Sequence, residues 1–338
     1  MTALISVVIP AYNLPEYTQK TIDSIVSQTY RPIEIIISDD NSPTSLKSLI
    51  EAIKYKSDAE INIKYFRQKI NLGYYWNLQF VIDQAVGKYL VLLDHDDWLI
   101  DPNFFSEATC AMESKLDCFV AICNTLLEKS PYPFMDIYYE NWHYIKNGGS
   151  FIQNNLFKKI HPSRSAVMMR FDKLRELEYK NYFIDKDSSK SMNIHPDEAF
   201  VLICLLASLG SVALSGRIVS IRGEPIGSLS RTVKWSMDGG GKTFAQHFLL
   251  YEYFKKINCR EGAVAMLQNI INIYPVSNIN IDLLRYLKFK KFAVILMIIS
   301  FFGFYMQFLI MAPKILFLKL KYRIAKSLKN IVRKYFKI

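Results

Sequence analysis

Residues 89–98 read YLVLLDHDDW, an apolar run that ends abruptly in Asp94, His95, Asp96 and Asp97. A short, continuously apolar segment bounded by turn residues reads as a strand buried on both faces. Three further strand-like runs precede it: LISVVIP from 4, IEIIIS from 33 and INIKYF from 61. Helix-patterned segments lie between them. EYTQKTIDSIVSQ places Tyr17, Ile22, Ile25 and Val26 on one face, and SPTSLKSLIEAIKYK offers Ser42 as a cap with Pro43 at a first helical position. WNLQFVIDQAV forms the third and is closed at Gly87. Apolar strands alternating with helices predict an α/β fold, a mostly parallel sheet covered by helices on both faces.

Downstream, DPNFFSEATCAMESK reads as a helix and DCFVAICNTLLE as a strand. EAFVLICLLASLG reads as a helix entered at Pro196, and SVALSGRIVSIRG as a closing strand pair. Two helical stretches follow between Lys242 and Tyr274.

The acids after Leu93 have a counterpart, because IEIIIS runs on into Asp39 and Asp40. In an open parallel sheet, ligands bind outside the carboxyl ends of the strands, so two acidic strand ends point to one crevice. Carboxylates crowded this closely repel one another, and a proton or a cation must compensate. Hard oxygen donors suit Mg2+ or Mn2+, which bind through one or two carboxylates plus substrate phosphates. Asp and Asn also close strands for structural reasons, since their side chains bond nearby backbone in turns. One acidic end alone fits that account. Two of them, at the second and fourth strands, ask for a metal and a phosphorylated ligand.

The chain has 338 residues, 51% hydrophobic and 22% charged, a globular composition with room for about two domains. Its net charge of +11 is unevenly placed. From Arg285 to Ile338 there are 13 Lys and Arg and no acid, so the first 284 residues carry 29 basic against 31 acidic groups. The near-neutral body gives no reason to expect a nucleic-acid partner. In the tail, residues 292–312 run without a charge, 21 residues that suffice to span a bilayer. A single span would put nine basic residues, Lys314 to Lys337, on the far side, against the positive-inside tendency for a cytoplasmic body. An in-plane or re-entrant helix pair broken at Pro313, with Lys and Arg on an anionic membrane surface, avoids that conflict. Either form makes residues 285–338 a helical membrane-associating extension, joined through a helical connector at 241–284 to a body at 1–240. The five cysteines form no CxxC pair and read as buried thiols in a reducing compartment. MTALISVVIPAYN has neither a basic leader nor a small-residue cleavage site, and reads as a first strand, not a signal peptide.

SVVIPAYN, then SIVSQTYRPIEIIISDDNS, then NLGYYWNLQFVIDQAVGKYLVLLDHDDW together resemble the successive signatures of family 2 glycosyltransferases, which have the GT-A fold. The likeness is strong from residue 4 to about 105, weaker to about 230, and absent over the last hundred residues. It implies a metal-dependent, inverting transfer of a sugar from a nucleotide-diphosphate donor to a hydroxyl of a glycan or lipid-linked glycan. Such chemistry fits bacterial surface-polysaccharide assembly at the cytoplasmic face of the cell membrane. Carried over position by position, the resemblance implies that Pro10, Ala11 and Tyr12 border the nucleoside. Asp40 would hydrogen-bond the base with Asp39 beside it, and Asp94 would contact the ribose. Asp96 would ligate Mg2+ or Mn2+, with Asp97 as a second candidate, and the metal would neutralise the leaving diphosphate. His95 falls at the variable position, a spacer more readily than a ligand because imidazole is not favoured by Mg2+.

The resemblance also implies a general base at the start of a helix, here Asp197 or Glu198 in NIHPDEAFVLICLLASLG, with Asp197 preferred. Acids in a first helical turn favour the helix dipole by ~0.3–1 kcal/mol without any catalytic part. The same positive helix end lowers a carboxylate's pKa, so desolvation would have to offset it. His195 fits base chemistry too, but its place before Pro196 is that of a helix entry. One departure concerns Trp76, where many relatives carry a basic residue before the Asn corresponding to Asn77. Arg222, Arg231 or Lys234 would then supply charge to the diphosphate, or serve as solvated surface charge. Residues 130–165, rich in Tyr, Pro, Asn and Gly, read either as a long loop or as an acceptor-facing surface.

Two other classes share the acids. A nucleotidyltransferase would show a Gly-rich basic loop after the first strand, where AYNLPEYTQK has no glycine. A non-catalytic membrane-bound sugar-nucleotide binder would bind donor and transfer nothing.

Overall fold

The computed structural model describes residues 2–130, 132–133, 137–156, 162–182, 198–225 and 250–273. The chain divides into two compact units, Met1–Leu267 and Gln268–Ile338. Of the second, residues 268–273 are described, as the end of a helix. The tail at 285–338, His195, Pro196, Asp197, Arg231 and Lys234 lie outside the described residues. No helix among the described residues is long and apolar enough to cross a membrane.

The first unit is organised on a sheet whose described strands are β1 Ile5–Ala11, β2 Ile33–Asp39, β3 Ile61–Arg67, β4 Tyr89–Leu92 and β5 Asp97–Leu99. The second half adds β6 Cys118–Leu127, β7 His143–Ile145, β8 Val167–Arg170 and β9 Ser211–Arg222. Across the sheet the order is β3-β2-β1-β4-β8-β6-β9-β5, with β7 also on β9. The expected parallel arrangement holds for β3, β2, β1 and β4. Beyond β4 the sheet is mixed, which corrects the expectation of a mostly parallel one. β8 runs against both β4 and β6, and β5 and β7 run against β9, while β6 and β9 are parallel. β8 starts from a 3₁₀ turn, Arg164–Ala166, at the edge where β4 finishes, and so has to run back beside it.

Helices cover both faces, as the sequence predicts. On one side lie α1 Pro15–Val26, α2 Lys47–Lys56 and α4 Phe104–Glu113, packed on Ile5, Val7, Ile9, Ile33, Ile35 and Ile37. On the other lie α3 Tyr74–Asp83, α5 Gly148–Asn154, α6 Phe171–Glu176 and α7 Glu198–Ala207, packed on Val8, Ile36, Leu90 and Leu92. Successive strand residues point to opposite faces, so both must be apolar when both are covered. Burying each such Ile or Val stabilises the fold by about 1.5–3 kcal/mol. A further helix, α8 Arg260–Ile273, follows helical residues 250–256.

Three local expectations change. α2 begins at Lys47, not at Pro43, because Ser42 has other partners: its amide donates to Asp39 and its hydroxyl accepts the amide of Asn13. α3 starts at Tyr74 and ends before Gln84, so Gly87 does not stop it. A Cβ on Gly87 would lie 2.6 Å from the Ser6 hydroxyl, so glycine is needed there for close approach to β1. SVALSGRIVSIRG is one long strand, β9, with a bulge where a turn was expected.

Candidate active site

β1 lies between β2 and β4, so its end at Pro10, Ala11 and Tyr12 is flanked by the two acidic strand ends. Pro10 and Ala11 are buried and Tyr12 is exposed. Asn13 and Leu14 follow with φ of 60° and 53°, left-handed values that cost side-chain-bearing residues about 1–3 kcal/mol each. Such strain persists where the surroundings impose it. Here the amide of Asn13 is held by the Ser42 hydroxyl at 2.8 Å, tying the turn after β1 to the turn after β2.

Asp39, the last residue of β2, is fully buried. Its Oδ1 accepts the Ser42 amide at 2.8 Å. Its Oδ2 accepts the Tyr65 hydroxyl at 2.7 Å, the Arg67 guanidinium at 2.8 Å and the Leu46 amide at 3.3 Å. Burial alone would raise its pKa, but the bonds from Ser42, Tyr65 and Leu46 outweigh burial and hold the carboxyl below its ordinary value. Asp40 faces another turn, where its oxygens accept the amides of Leu72 at 2.6 Å and Gly73 at 2.9 Å. Burial, helped by the charge of Asp39, keeps Asp40 above the usual carboxylate value against those bonds. Gly73 has a φ of 81°, the position in this turn that calls for glycine.

The next residue, Tyr74, opens α3 and donates its hydroxyl to Asp94 Oδ1 at 2.6 Å. Asp40 from the end of β2 and Asp94 from beyond β4 are thus joined through one turn, Leu72 to Tyr74. Asn77 adds to the frame by donating to the Ser38 carbonyl at 2.9 Å. Trp76 stands edge-on to Tyr75, at 4.4 Å between ring centroids.

Asp94 also meets the Arg164 guanidinium at 3.2 Å, and Arg164 in turn contacts the Tyr74 hydroxyl. Burial pushes the pKa of Asp94 up, but the Arg164 charge and the Tyr74 bond prevail and hold it below the ordinary value. Asp96 is half-buried, and burial together with the Asp94 charge lifts its pKa. Asp97 is 3% exposed and accepts the Gly223 amide at 3.2 Å. Burial and the charges of Asp94 and Asp96 raise it well above the ordinary value, against the pull of Arg222. Arg222 stands opposite Asp97 in the β5–β9 pairing. His95 lies between the acids with neither ring nitrogen hydrogen-bonded.

The acid loop is held from below by α1. The Thr21 hydroxyl lies within hydrogen-bonding distance of the carbonyls of His95 and Asp97, at 2.9 and 2.7 Å, and Ser24 accepts the Leu99 amide at 3.0 Å. On the other side Gly223 presses against it, since a Cβ there would lie 1.9 Å from the Asp96 carbonyl. Among the described residues no three His, Cys, Asp or Glu side chains converge as a protein-only metal cage would. The donor chemistry nevertheless fits a hard divalent cation. Asp96 is a half-buried carboxylate whose pKa is raised by burial and by the Asp94 charge, and a cation would relieve that while drawing its other ligands from phosphate and water.

The sequence-predicted residues of β1, β2 and the acid loop therefore share one edge of the sheet. Glu198 begins α7, and Asp197 lies outside the described residues. Tyr74, Arg164, Thr21 and Gly223 were not foreseen. Tyr74 had a signal, since it sits in NLGYYW beside the Gly that Asp40 grips. Arg164 had none, because its approach to Asp94 depends on β8 joining β4.

A family model described as Glycosyl transferase family 2 matches residues 6–177. A Campylobacter jejuni GalNAc(5)-diNAcBac-PP-undecaprenol beta-1,3-glucosyltransferase is 37% identical over 97 residues, 28% of this chain and 30% of that protein. The putative teichuronic acid biosynthesis glycosyltransferase TuaG of Bacillus subtilis is 30% identical over 132 residues, 37% of this chain and 51% of that protein. The chain thus spans about a third to a half of the length of these relatives. Among solved structures, S. aureus TarS 1–349 in complex with UDP-GlcNAc superposes with a TM-score of 0.55 at 15% identity, covering 81% of this chain and 82% of that one. The Pyrobaculum calidifontis mannosyltransferase PcManGT, in complex with GDP-Man and Mn2+, gives a TM-score of 0.51 at 11% identity, covering 89% and 86%. At such identities the likeness concerns the fold.

Proposed function

The chain belongs to glycosyl transferase family 2, and on that premise we propose that it moves a sugar from a nucleotide-diphosphate donor to a hydroxyl of a glycan or lipid-linked glycan, with inversion. The observation that carries this reading is the junction of Asp40 and Asp94 through the turn Leu72 to Tyr74, beside the end of β1. It supplies separate carboxylates at one edge, one for a base and one for a ribose, with Pro10, Ala11 and Tyr12 between them. Relatives of the same fold bind UDP-GlcNAc and GDP-Man, which supports a nucleotide-sugar donor. Asp96, with Asp97 as a second candidate, would hold Mg2+ or Mn2+, which when bound supplies positive charge against the leaving diphosphate. Arg164 and Arg222 add fixed positive charge to the same loop. Asp197, or Glu198 at the start of α7, would take the proton of the acceptor hydroxyl.

The charge-free run at 292–312 and the basic tail motivate attachment to the cytoplasmic face of a membrane. The arrangement suits an acceptor that is itself lipid-linked, such as the polyprenyl-linked glycan named for the Campylobacter relative. The test is to incubate the full chain with UDP- and GDP-sugars, Mn2+ and bacterial lipid-linked glycan, and to read the anomeric configuration of the product by NMR. A product of opposite configuration to the donor is expected. Retention would overturn inversion, and neither transfer nor hydrolysis of any donor would overturn the enzyme reading. Deleting residues 285–338 should release the protein from the membrane fraction, and its full retention there would overturn attachment by the tail.

A further inference from the structure

β9 carries an insertion relative to β6. Leu214 stands opposite Ile122 and Ile218 opposite Asn124, so residues 215–217 face Cys123 alone and bulge from the sheet. Residues 137–140 cross this bulge and are pinned to it. The Gly216 amide donates to the Tyr139 carbonyl at 2.8 Å, and Asn124 Nδ2 donates to the carbonyls of Ile137 and Gly216, each at 2.9 Å. A Cβ on Gly216 would lie 2.8 Å from the Ile137 carbonyl, so only glycine lets the two segments approach this closely. Between them opens a cavity of about 470 Å3, with Tyr138, Tyr139 and Glu140 on one side and Arg217 and Ile218 on the other.

Its lining combines aromatic rings with charged and amide groups, the residue types that sugar recognition uses. Tyr138 is 80% exposed and Tyr139 41%, and both line the cavity. Adjacent exposed aromatic rings at a concave surface are costly in water and suit a ligand that covers them. Tyr139 is held in place by stacking on His143, with centroids 4.1 Å apart and planes 13° from parallel. A fixed ring presents a negative π face that suits the C–H face of a sugar, while the phenol hydroxyl and Glu140 suit sugar hydroxyls. Charge narrows the class further. Arg217 is already matched by Asp101 at 2.6 Å and Glu107 at 2.9 Å, and Glu140 adds a third carboxylate, so an anionic sugar would be repelled.

The cavity also lies at a useful distance from the acids. β9 continues from Ile218 to Arg222, and the next residue, Gly223, donates to Asp97. The four steps along the strand from Ile218 to Arg222 span roughly 13 Å, longer than one sugar ring and within reach of a short oligosaccharide. We infer that this cavity is a subsite for a neutral glycan acceptor, holding sugar units remote from the one that receives the transferred residue. The inference rests on the transferase reading and names the acceptor class for it.

The test uses the full chain on a printed array of bacterial oligosaccharides, neutral and acidic, from single sugars to hexasaccharides. Retention on neutral oligosaccharides but not on single sugars is expected. Tyr138→Ala and Tyr139→Ala should each lower the signal about tenfold, and Tyr139→Phe should keep it, because the ring does the stacking. Cooperative melting of each variant checks that it folds. No retention on any neutral oligosaccharide, a preference for acidic ones, or Ala variants that bind like the parent would overturn the inference. A parallel melt with nucleotide sugars separates the two failures. Stabilisation by a donor without glycan binding removes only the subsite, and no stabilisation by any donor removes the transferase reading itself.

Discussion

The end of β2 and the turn between β4 and β5 both gather aspartates at the same edge of one sheet, and they treat them in opposite ways. Asp39 receives two amides, a phenol and a guanidinium, and its proton is held less tightly than usual. Asp96 and Asp97, at the start of β5, are both raised by burial and by neighbouring aspartates, Asp94 for the first and Asp94 with Asp96 for the second, and Asp97 accepts an amide from Gly223. The first carboxylate is satisfied by the protein and stabilises it. The second group is left under electrostatic stress that a cation would relieve. Asp40 and Asp94 stand between these extremes, each bonded to the turn that joins the two regions.

Substitutions should break this contrast in opposite directions. The largest effect is expected from Asp39→Ala, which leaves the buried Ser42 and Leu46 amides without their acceptor and takes its carboxylate from Arg67, which keeps the Ser42 carbonyl. Unfolding free energy in urea should drop by about 3–5 kcal/mol, at roughly 1–3 kcal/mol for each buried donor left unsatisfied. The pH dependence has a definite sign: because the folded pKa of Asp39 is depressed, its contribution is full above ~3.9, the unfolded value, and fades as pH falls through the lower folded value. An acid-unfolding curve identical in parent and variant would contradict that role. Asp96→Asn should behave oppositely, with transfer slowed about 10²–10³-fold and no fall in melting temperature. Equal loss of stability in both variants would erase the distinction between the two ends.

A smaller change is expected for Arg164→Ala, about tenfold in kcat/KM. Its signature is the pH profile. Without Arg164, Asp94 loses the largest influence holding its pKa down, so the acidic limb should move to higher pH. An unshifted limb would mean that Arg164 does not govern Asp94. Smallest is Asp97→Asn, which without added metal should raise the melting temperature at neutral pH by about 2–4 °C for ~1 kcal/mol. The folded state holds the Asp97 proton more tightly than the unfolded chain does, so ionising this group costs stability as pH rises, and the amide removes that cost. A lower melting temperature would show Asp97 to be a frame residue like Asp39.

Much of this was legible in the sequence because it is local. The apolar runs ending in DD and DHDD announce both buried strands and acidic ends, and the alternation with helices makes β1 to β4 parallel. What could not be read is which acid bonds to what. ISDDNS looks the same whether Asp39 or Asp40 faces a ligand, and only Tyr65 and Arg67, arriving from β3, assign Asp39 to the frame. The mixed half of the sheet was missed for a related reason. Strand direction in β8 and β5 follows from which neighbours they join, and apolar periodicity is blind to that. SVALSGRIVSIRG misled because Ser-Gly is a turn signal, whereas here Gly216 serves a bulge that only the crossing segment at 137–140 explains.

The most direct test of the contrast is a thermal-shift screen of nucleotide sugars with and without Mn2+, run on the parent chain and on Asp96→Asn. One donor should raise the melting temperature of the parent in a Mn2+-dependent way, equivalent to about 2.7 kcal/mol at a hundredfold excess over Kd. The Mn2+-dependent part should vanish in Asp96→Asn. No shift with any donor, or an equal Mn2+-dependent shift in the variant, would contradict the assignment of the β4–β5 acids to metal and donor.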